Sequence, residues 1–322
     1  TGNRFGANTF DVQPDLITVA KGLTNGAVRT PTVEIPVLSP AQKLESPPES
    51  GLRVTWMGHS SLLIEIDGAR ILTDPVWGER ASPSTLLGPS RFHETPIALE
   101  ALPKLDAIII SHDHYDHLDM PSIKQLAGTT DVHFYMPLGI GAHMERWGVP
   151  ADRIHEFDWW EKTTLEASGV ELVSTPSRHF SGRAGIDKDR TLWTSWTILG
   201  PEHRVYFSGD TGFSQHFQEI GDKYGPFDLT MLEVGAFHEA WGNIHLGPHK
   251  ALEAHQMLGG KRMLPVHWGT FDLAIHSWTD PARTLAQVAP EKGIELVTPR
   301  VGEPVEPGET ETAFWWESLG GE

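Results

Sequence analysis

The chain has 322 residues, 39% of them hydrophobic and 21% charged, enough for one large domain or two ordinary ones with a substantial core. Its formal charge of −18 argues against a general nucleic-acid binder, which needs a basic footprint to neutralise phosphates. It has no cysteine, so disulfides and thiolate metal ligands are excluded and any metal must be held by nitrogen and oxygen. No apolar run approaches the roughly 20 residues that cross a bilayer, so stable membrane insertion is not expected. The opening residues carry no basic, apolar leader, which makes the cytoplasm the expected location.

Taken in chain order, residues 29–50 are rich in Pro, Ser and Glu and read as an extended linker. Regular structure is expected from Leu52, in a single catalytic domain over 51–322. The run from Leu52 to Gly58, then the stretch from Leu62 to Pro75 with its Asp67-Gly68 turn, predict successive antiparallel strands. Ala107–Ile110 is a short, fully apolar strand that ends directly at Ser111-His112. A helix near Ser122–Leu126, a strand at His133–Met136 and a helix at Gly139–Trp147 follow. Strands are then expected at Val170–Ser174, Leu192–Leu199 and Arg204–Ser208, with a helix around Ser214–Gly221 and a strand at Met231–Val234. A helix opening at Pro248, a strand at Met263–Val266, a helix at Pro281–Val288 and a strand at Ile294–Val297 complete the pattern. Strands in runs with helices between them predict a layered α/β sandwich with mixed sheets.

The strongest chemical signal is the run from Ser111 to His117, where three imidazoles and one or two carboxylates fall within six residues at a strand end. A tight loop there can turn several side chains toward one point, and neutral imidazole with carboxylate suits Zn, Mn or Fe. A polar surface loop is the bland alternative, and the buried strand immediately before it weighs against that.

The pattern HxHxDH is the signature of the metallo-β-lactamase superfamily, which this sequence resembles. Thr175–Ser181 is similar to the segment supplying that family's next histidine, Phe207–Gly212 to its bridging-aspartate strand end, and Pro265–Phe271 to its last histidine. The stretch from Val54 to Ala274 resembles the branch containing N-acyl-phosphatidylethanolamine phospholipase D, in its GHSS, GPSRF, DHYDHLD and HWGTF segments. The resemblance implies a four-layer αββα sandwich with two mixed β-sheets. It also implies one metal held by His112, His114 and His179, a second by Asp116, His117 and His267, and Asp210 bridging both. Two such cations, about 3.5–4 Å apart, lower the pKa of a shared water toward neutrality and polarise the substrate oxygen. Two divalent ions, zinc first with Mn or Fe suiting the same donors, are therefore the expected cofactors.

Other positions carry weaker implications. Asp74 matches the superfamily's early aspartate, which orients ligands without binding metal. His59 is open between that kind of role and a satisfied core histidine. His245 matches a histidine near the substrate in the phospholipase branch, where it could bind a phosphoryl oxygen or protonate a leaving group. Asp210, His245 and Asp116 are the expected catalytic residues. Asp113 and Tyr115 are not expected to ligate, and Arg91 and Arg178 are candidate anion contacts beside the commoner reading as salt-bridged arginines. Trp241 and Trp268 hint at an aromatic-walled pocket.

Residues 1–28 resemble something else, the cofactor-lysine segment of class III aminotransferases, with Lys21 at the position that carries pyridoxal phosphate in that family. Nothing after Ala27 continues that pattern, and such a lysine works only within the rest of a large fold. The segment reads as a fused or extension piece, and pyridoxal phosphate is not expected.

The expected function is metal-dependent hydrolysis of a small-molecule phosphate ester, a phosphodiester or phospholipid-like one. The alternative is an acyl hydrolase of the lactonase or β-lactamase kind, and an iron-dependent dioxygenase stands third. Nucleic acid is not an expected partner, and a homo-oligomer stays open.

Overall fold

In the computed structural model, which describes residues 26–319, the stretch expected as a linker is extended but strapped to the domain. Ile35 and Leu44 are buried, at 1% and 4% exposure, because each drops an apolar side chain into the core beneath. Val37 bridges Val301, a one-turn helix α1 (Ala41–Leu44) follows, and Arg29 pairs with Asp272 at 2.9 Å. Lys21 and most of the aminotransferase-like segment lie outside the described residues.

β1 (Leu52–Gly58), β2 (Ser61–Ile66) and β3 (Ala69–Thr73) form an antiparallel meander. Its second turn uses Asp67 and Gly68 in left-handed backbone, as a tight hairpin requires. β4 (Ala107–Ile109), β5 (Phe134–Pro137) and β6 (Ile154–Phe157) then add in parallel, with α2 (Met120–Thr129) and α3 (Gly141–Arg146) in the crossovers. The second half follows the same plan. β7 (Lys162–Leu165), β8 (Val170–Thr175), β9 (Ser195–Leu199) and β10 (Arg204–Phe207) are antiparallel. After α4 (His216–Tyr224) comes β11 (Phe227–Glu233), then α5 (Gly247–Met257), β12 (Gly260–Val266), α6 (Asp280–Val288) and β13 (Glu295–Leu296), with β10 to β13 parallel. β14 (Pro304–Val305) returns to pair with β1, giving two seven-stranded mixed sheets, ordered β14-β1-β2-β3-β4-β5-β6 and β13-β12-β11-β10-β9-β8-β7.

The two-residue period of the strands sorts the layers. Trp56, Leu62, Ile64 and Ile109 point between the sheets, where Trp196 and Ile198 of β9 meet them. Their sequence neighbours Met57, Leu63 and Ile108 point outward, onto Ile123 and Leu126 of α2 and Met144 of α3. On the far side Tyr206 of β10 packs edge-on against Phe217 of α4. The result is the αββα sandwich. Each fully buried aliphatic side chain contributes about 1.5–3 kcal/mol by leaving water, which outweighs propensity differences of under about 1 kcal/mol per residue. Among the described residues no helix is long and apolar enough to cross a membrane.

Candidate metal centre

The predicted metal ligands, with His59 and Asp74, sit just past the carboxyl ends of strands, whereas His245 lies in the loop that enters α5. His59 follows β1, Asp74 follows β3, the 111–117 loop follows β4, His179 follows β8, Asp210 follows β10 and His267 follows β12. Open α/β sheets bind ligands at such ends, because loops from several strands converge there. The loops are cross-tied. Arg178 donates its backbone N–H to the Thr211 hydroxyl (2.9 Å) and accepts from the Gly212 N–H (2.7 Å), which sets His179 beside Asp210. The His267 N–H donates to the His59 carbonyl (3.0 Å). A Cβ on Gly235 would lie 2.0 Å from the His267 carbonyl oxygen, so only glycine lets the loop after β11 touch the His267 loop.

The seven predicted ligands converge in two groups. In the first, His112 Nε2 lies 2.8 Å from His114 Nδ1, and His179 Nε2 lies 3.3 Å from that same atom. Asp210 Oδ2 is 3.8 Å from His112 Nε2 and 3.7 Å from His179 Nε2. In the second, Asp116 Oδ2 is 3.4 Å from His117 Nε2 and 3.3 Å from His267 Nε2, and Asp210 Oδ1 is 3.2 Å from each of those nitrogens. Asp210 therefore turns one oxygen to each group. His59 joins the second group, its Nε2 2.9 Å from Asp116 Oδ2.

The outer contacts fix which nitrogen faces inward. Asp74, fully buried, accepts the Ser111 N–H (2.7 Å) on Oδ1 and the Ser111 hydroxyl (2.6 Å) and His117 Nδ1 (2.7 Å) on Oδ2. His179 donates from Nδ1 to the Ile244 carbonyl at 3.0 Å. His117 Nε2 and Asp210 Oδ1 are left buried with no hydrogen bond, which is costly unless something else satisfies them. Orphaned inward atoms on a set of imidazoles and carboxylates fit two divalent cations.

The charge states agree with that fit. Burial depresses His112 and His179 well below the ordinary imidazole value, so both offer lone pairs. Burial alone would raise Asp116 and Asp210, yet the neighbouring histidines, His117 first, outweigh it and hold both well below the carboxylate range. His267 is pushed up to about 10, because Asp210 and Asp116 outweigh the burial that opposes it. Two carboxylates with this much negative field attract protons or a cation to the same atoms.

The groups floor a cavity of about 230 Å³. Phe180, Trp241, Ile244 and Leu273 give it an apolar wall, and His245 also lines it, with Nδ1 3.9 Å from Asp210 Oδ2. Trp241 thus lines the cavity as expected, whereas Trp268, 4% exposed, is stacked at 5.5 Å on both Trp56 and Trp315 in the core. Arg91 is turned away, donating to the carbonyls of Val76 and Gly78 with its guanidinium over Phe271. Arg178 contributes its backbone and does not line the cavity. Asp113 accepts the Gly182 N–H (2.8 Å) and the Thr191 hydroxyl (3.0 Å), and Tyr115 donates to the Arg183 carbonyl (3.0 Å), so both point away from the two groups. Sequence patterning does not single out Glu233, which is fully buried with Oε2 2.7 Å from His245 Nδ1. The available signal is a lone acid inside the apolar run Met231–Val234, where an unpaired charge could not persist.

Fold and site together define a metal-dependent hydrolase with its donors at the mouth of a β-sandwich. Residues 69–268 match the β-lactamase superfamily domain, and the chain belongs to that family. It is 46% identical over 290 residues to an uncharacterized protein of Mycobacterium tuberculosis, covering 89% of this chain and 77% of the relative. It is 37% identical over 234 residues to N-acyl-phosphatidylethanolamine-hydrolyzing phospholipase D 1 of Caenorhabditis elegans, covering 70% of this chain and 66% of that one. Among solved structures, the metallo hydrolase Igni18 of Ignicoccus hospitalis is similar with a TM-score of 0.60 at 25% identity, covering 79% of this chain and 97% of its own.

Proposed function

We propose that the chain hydrolyses phosphate esters, a phosphodiester or phospholipid-like substrate, with two divalent ions held as His112, His114, His179 and Asp116, His117, His267, bridged by Asp210. The observation that carries this reading is the split of the Asp210 carboxylate, one oxygen toward each cluster of imidazoles. Zinc suits the donor set first, with manganese or iron as alternatives. Bound there, the ions would supply a nucleophile from water at neutral pH and a Lewis acid for the substrate oxygen.

The chain's own residues do the rest. Asp74 and the Ile244 carbonyl hold His117 and His179 with Nε2 inward. Asp116 and Asp210 stay ionised, as a pair of cations requires. Phe180, Trp241, Ile244 and Leu273 meet the organic part of the substrate and exclude water from it. His245, on the cavity wall, meets a phosphoryl or leaving-group oxygen. Relatives named as phospholipases D in Caenorhabditis elegans and Saccharomyces cerevisiae support a phosphodiester substrate.

The test is metal content of the purified protein beside turnover of a phosphodiester, phosphotriester, lactone and β-lactam panel. The expected outcome is about two divalent ions per chain and chelator-sensitive phosphodiester turnover. Turnover confined to lactones or β-lactams would transfer the site to acyl hydrolysis. A single iron with oxygen uptake and no hydrolysis would overturn the reading.

A further inference from the structure

A buried imidazole that turns Nε2 toward an ion needs its other nitrogen satisfied as well, and that outer partner fixes how the ring is aimed. His117 has Asp74 for this, His179 has the Ile244 carbonyl, and His112 has the Ser111 hydroxyl at 3.0 Å from Nδ1. His267, 2% exposed, differs: its Nδ1 is buried with no protein partner. Behind it lies a second cavity of about 20 Å³, which shares His267, Ala236 and Leu273 with the metal-site cavity. His276 lines this second cavity too, its ring stacked on Phe237 at 4.7 Å. Its Nδ1 donates to the Ser277 carbonyl (2.9 Å), so Nε2 carries the lone pair, and that nitrogen is also buried without a partner. The strap forms the outer wall. Val28 donates its N–H to the Ser277 hydroxyl (3.0 Å) and accepts from the Trp278 N–H (3.0 Å), which lays Arg29 and its partner Asp272 along the cavity.

We propose that this cavity is a site for one ordered water, which links His267 Nδ1 to His276 Nε2 and makes His276 the positioning residue for the last metal ligand. The role rests on the two-ion reading above. A single water needs roughly 10–15 Å³ and at least two polar partners, and the cavity offers both. With Nε2 on an ion, His267 carries its ring proton on Nδ1 and donates it to the water. The water in turn donates to His276 Nε2, so the donor and the acceptor left over by the protein satisfy each other. His267 Nε2 is thereby aimed at the group it shares with Asp116 and His117.

Two substitutions break the link in different ways. His276→Phe keeps a ring against Phe237 but has no acceptor, and Ala274→Val puts two methyl groups into the water's space while leaving both histidines. His276→Gln is the rescue, since its amide oxygen reaches the place of Nε2. Zinc affinities of wild type and variants are measured by competition with a chromogenic chelator, beside the Tm of each metal-free protein. We expect one of the two zinc ions to bind about 10–100-fold more weakly in His276→Phe and Ala274→Val, and within about threefold of wild type in His276→Gln. In wild type the Ala274 methyl should show a nuclear Overhauser cross-peak to a long-lived water. Absence of that cross-peak, unchanged affinity in both disrupting variants, or equal weakening in His276→Gln would overturn the link. A loss of affinity matched by a loss of metal-free Tm would leave His276 a packing residue. If wild type takes up no second zinc, it is the two-ion reading that fails. The cross-peak, which needs no metal, then judges the water site by itself.

Discussion

Asp74 never reaches the cavity, yet it decides how His117 can serve it. Replacing it with Ala strips His117 Nδ1 and Ser111 of their shared acceptor. Metal affinity should fall about 10–100-fold, read by competition against a chromogenic chelator, and an unchanged affinity would mean that packing alone orients the ring. Asp210→Ala acts differently, because it removes an oxygen from both groups at once. Metal content should drop and turnover should vanish; full activity in that variant would sink the two-ion arrangement. The seven residues of these groups were legible in the sequence because most are crowded into one loop and the others stand in recognisable segments. Glu233 and the contact of His59 with Asp116 were not, since each is defined by a partner far away in the chain, 12 and 57 positions off. Arg91 misled for the same reason. A guanidinium can satisfy itself on carbonyl oxygens that no sequence pattern displays.

At the scale of elements, the long apolar strands were readable, and of the short edge strands only β13, expected over Ile294–Val297, was. β6 and β7 are four residues each and mostly half-buried or exposed, so they carry no period to detect, and β14 is a two-residue pairing. β9 begins at Ser195, three residues later than expected, because Leu192 and Thr194 give their N–H groups to Leu138 and Ser111 instead of to a neighbouring strand. The docking of α5 on β11 allows a pH prediction. His255 is buried with Nδ1 2.8 Å from the Thr230 hydroxyl, and burial lowers its pKa from 6.5 to about 4. Between those values the unfolded chain binds a proton that the folded chain refuses. Stability is therefore full above pH 6.5 and declines as pH falls toward 4, by up to roughly 3 kcal/mol from this residue. His216 and His93, lowered by burial to about 3 and about 4, add to the same slope. Urea midpoints at neutral and acid pH should converge in His255→Gln relative to wild type, and parallel behaviour of the two proteins would refute the assignment.

At the scale of the whole molecule, the two groups draw donors from both sheets. The 111–117 loop leaves the first sheet, while His179, Asp210 and His267 leave the second. Ions bound there would clamp one sheet to the other and stabilise only the folded state. At 100 times its Kd, a single such ion adds about 2.7 kcal/mol, so chelation should lower Tm and metal restore it; a Tm indifferent to chelator would remove the clamp. The same topology has a consequence in time. Val54 on the first strand pairs with Val305, about 250 residues later. At roughly 5–20 residues per second, ribosomal synthesis leaves that strand edge bare for on the order of 10–50 s. Until then β1 offers open backbone hydrogen-bonding groups to any neighbouring chain. The nascent protein therefore passes through a window of vulnerability to aggregation that the finished molecule no longer has.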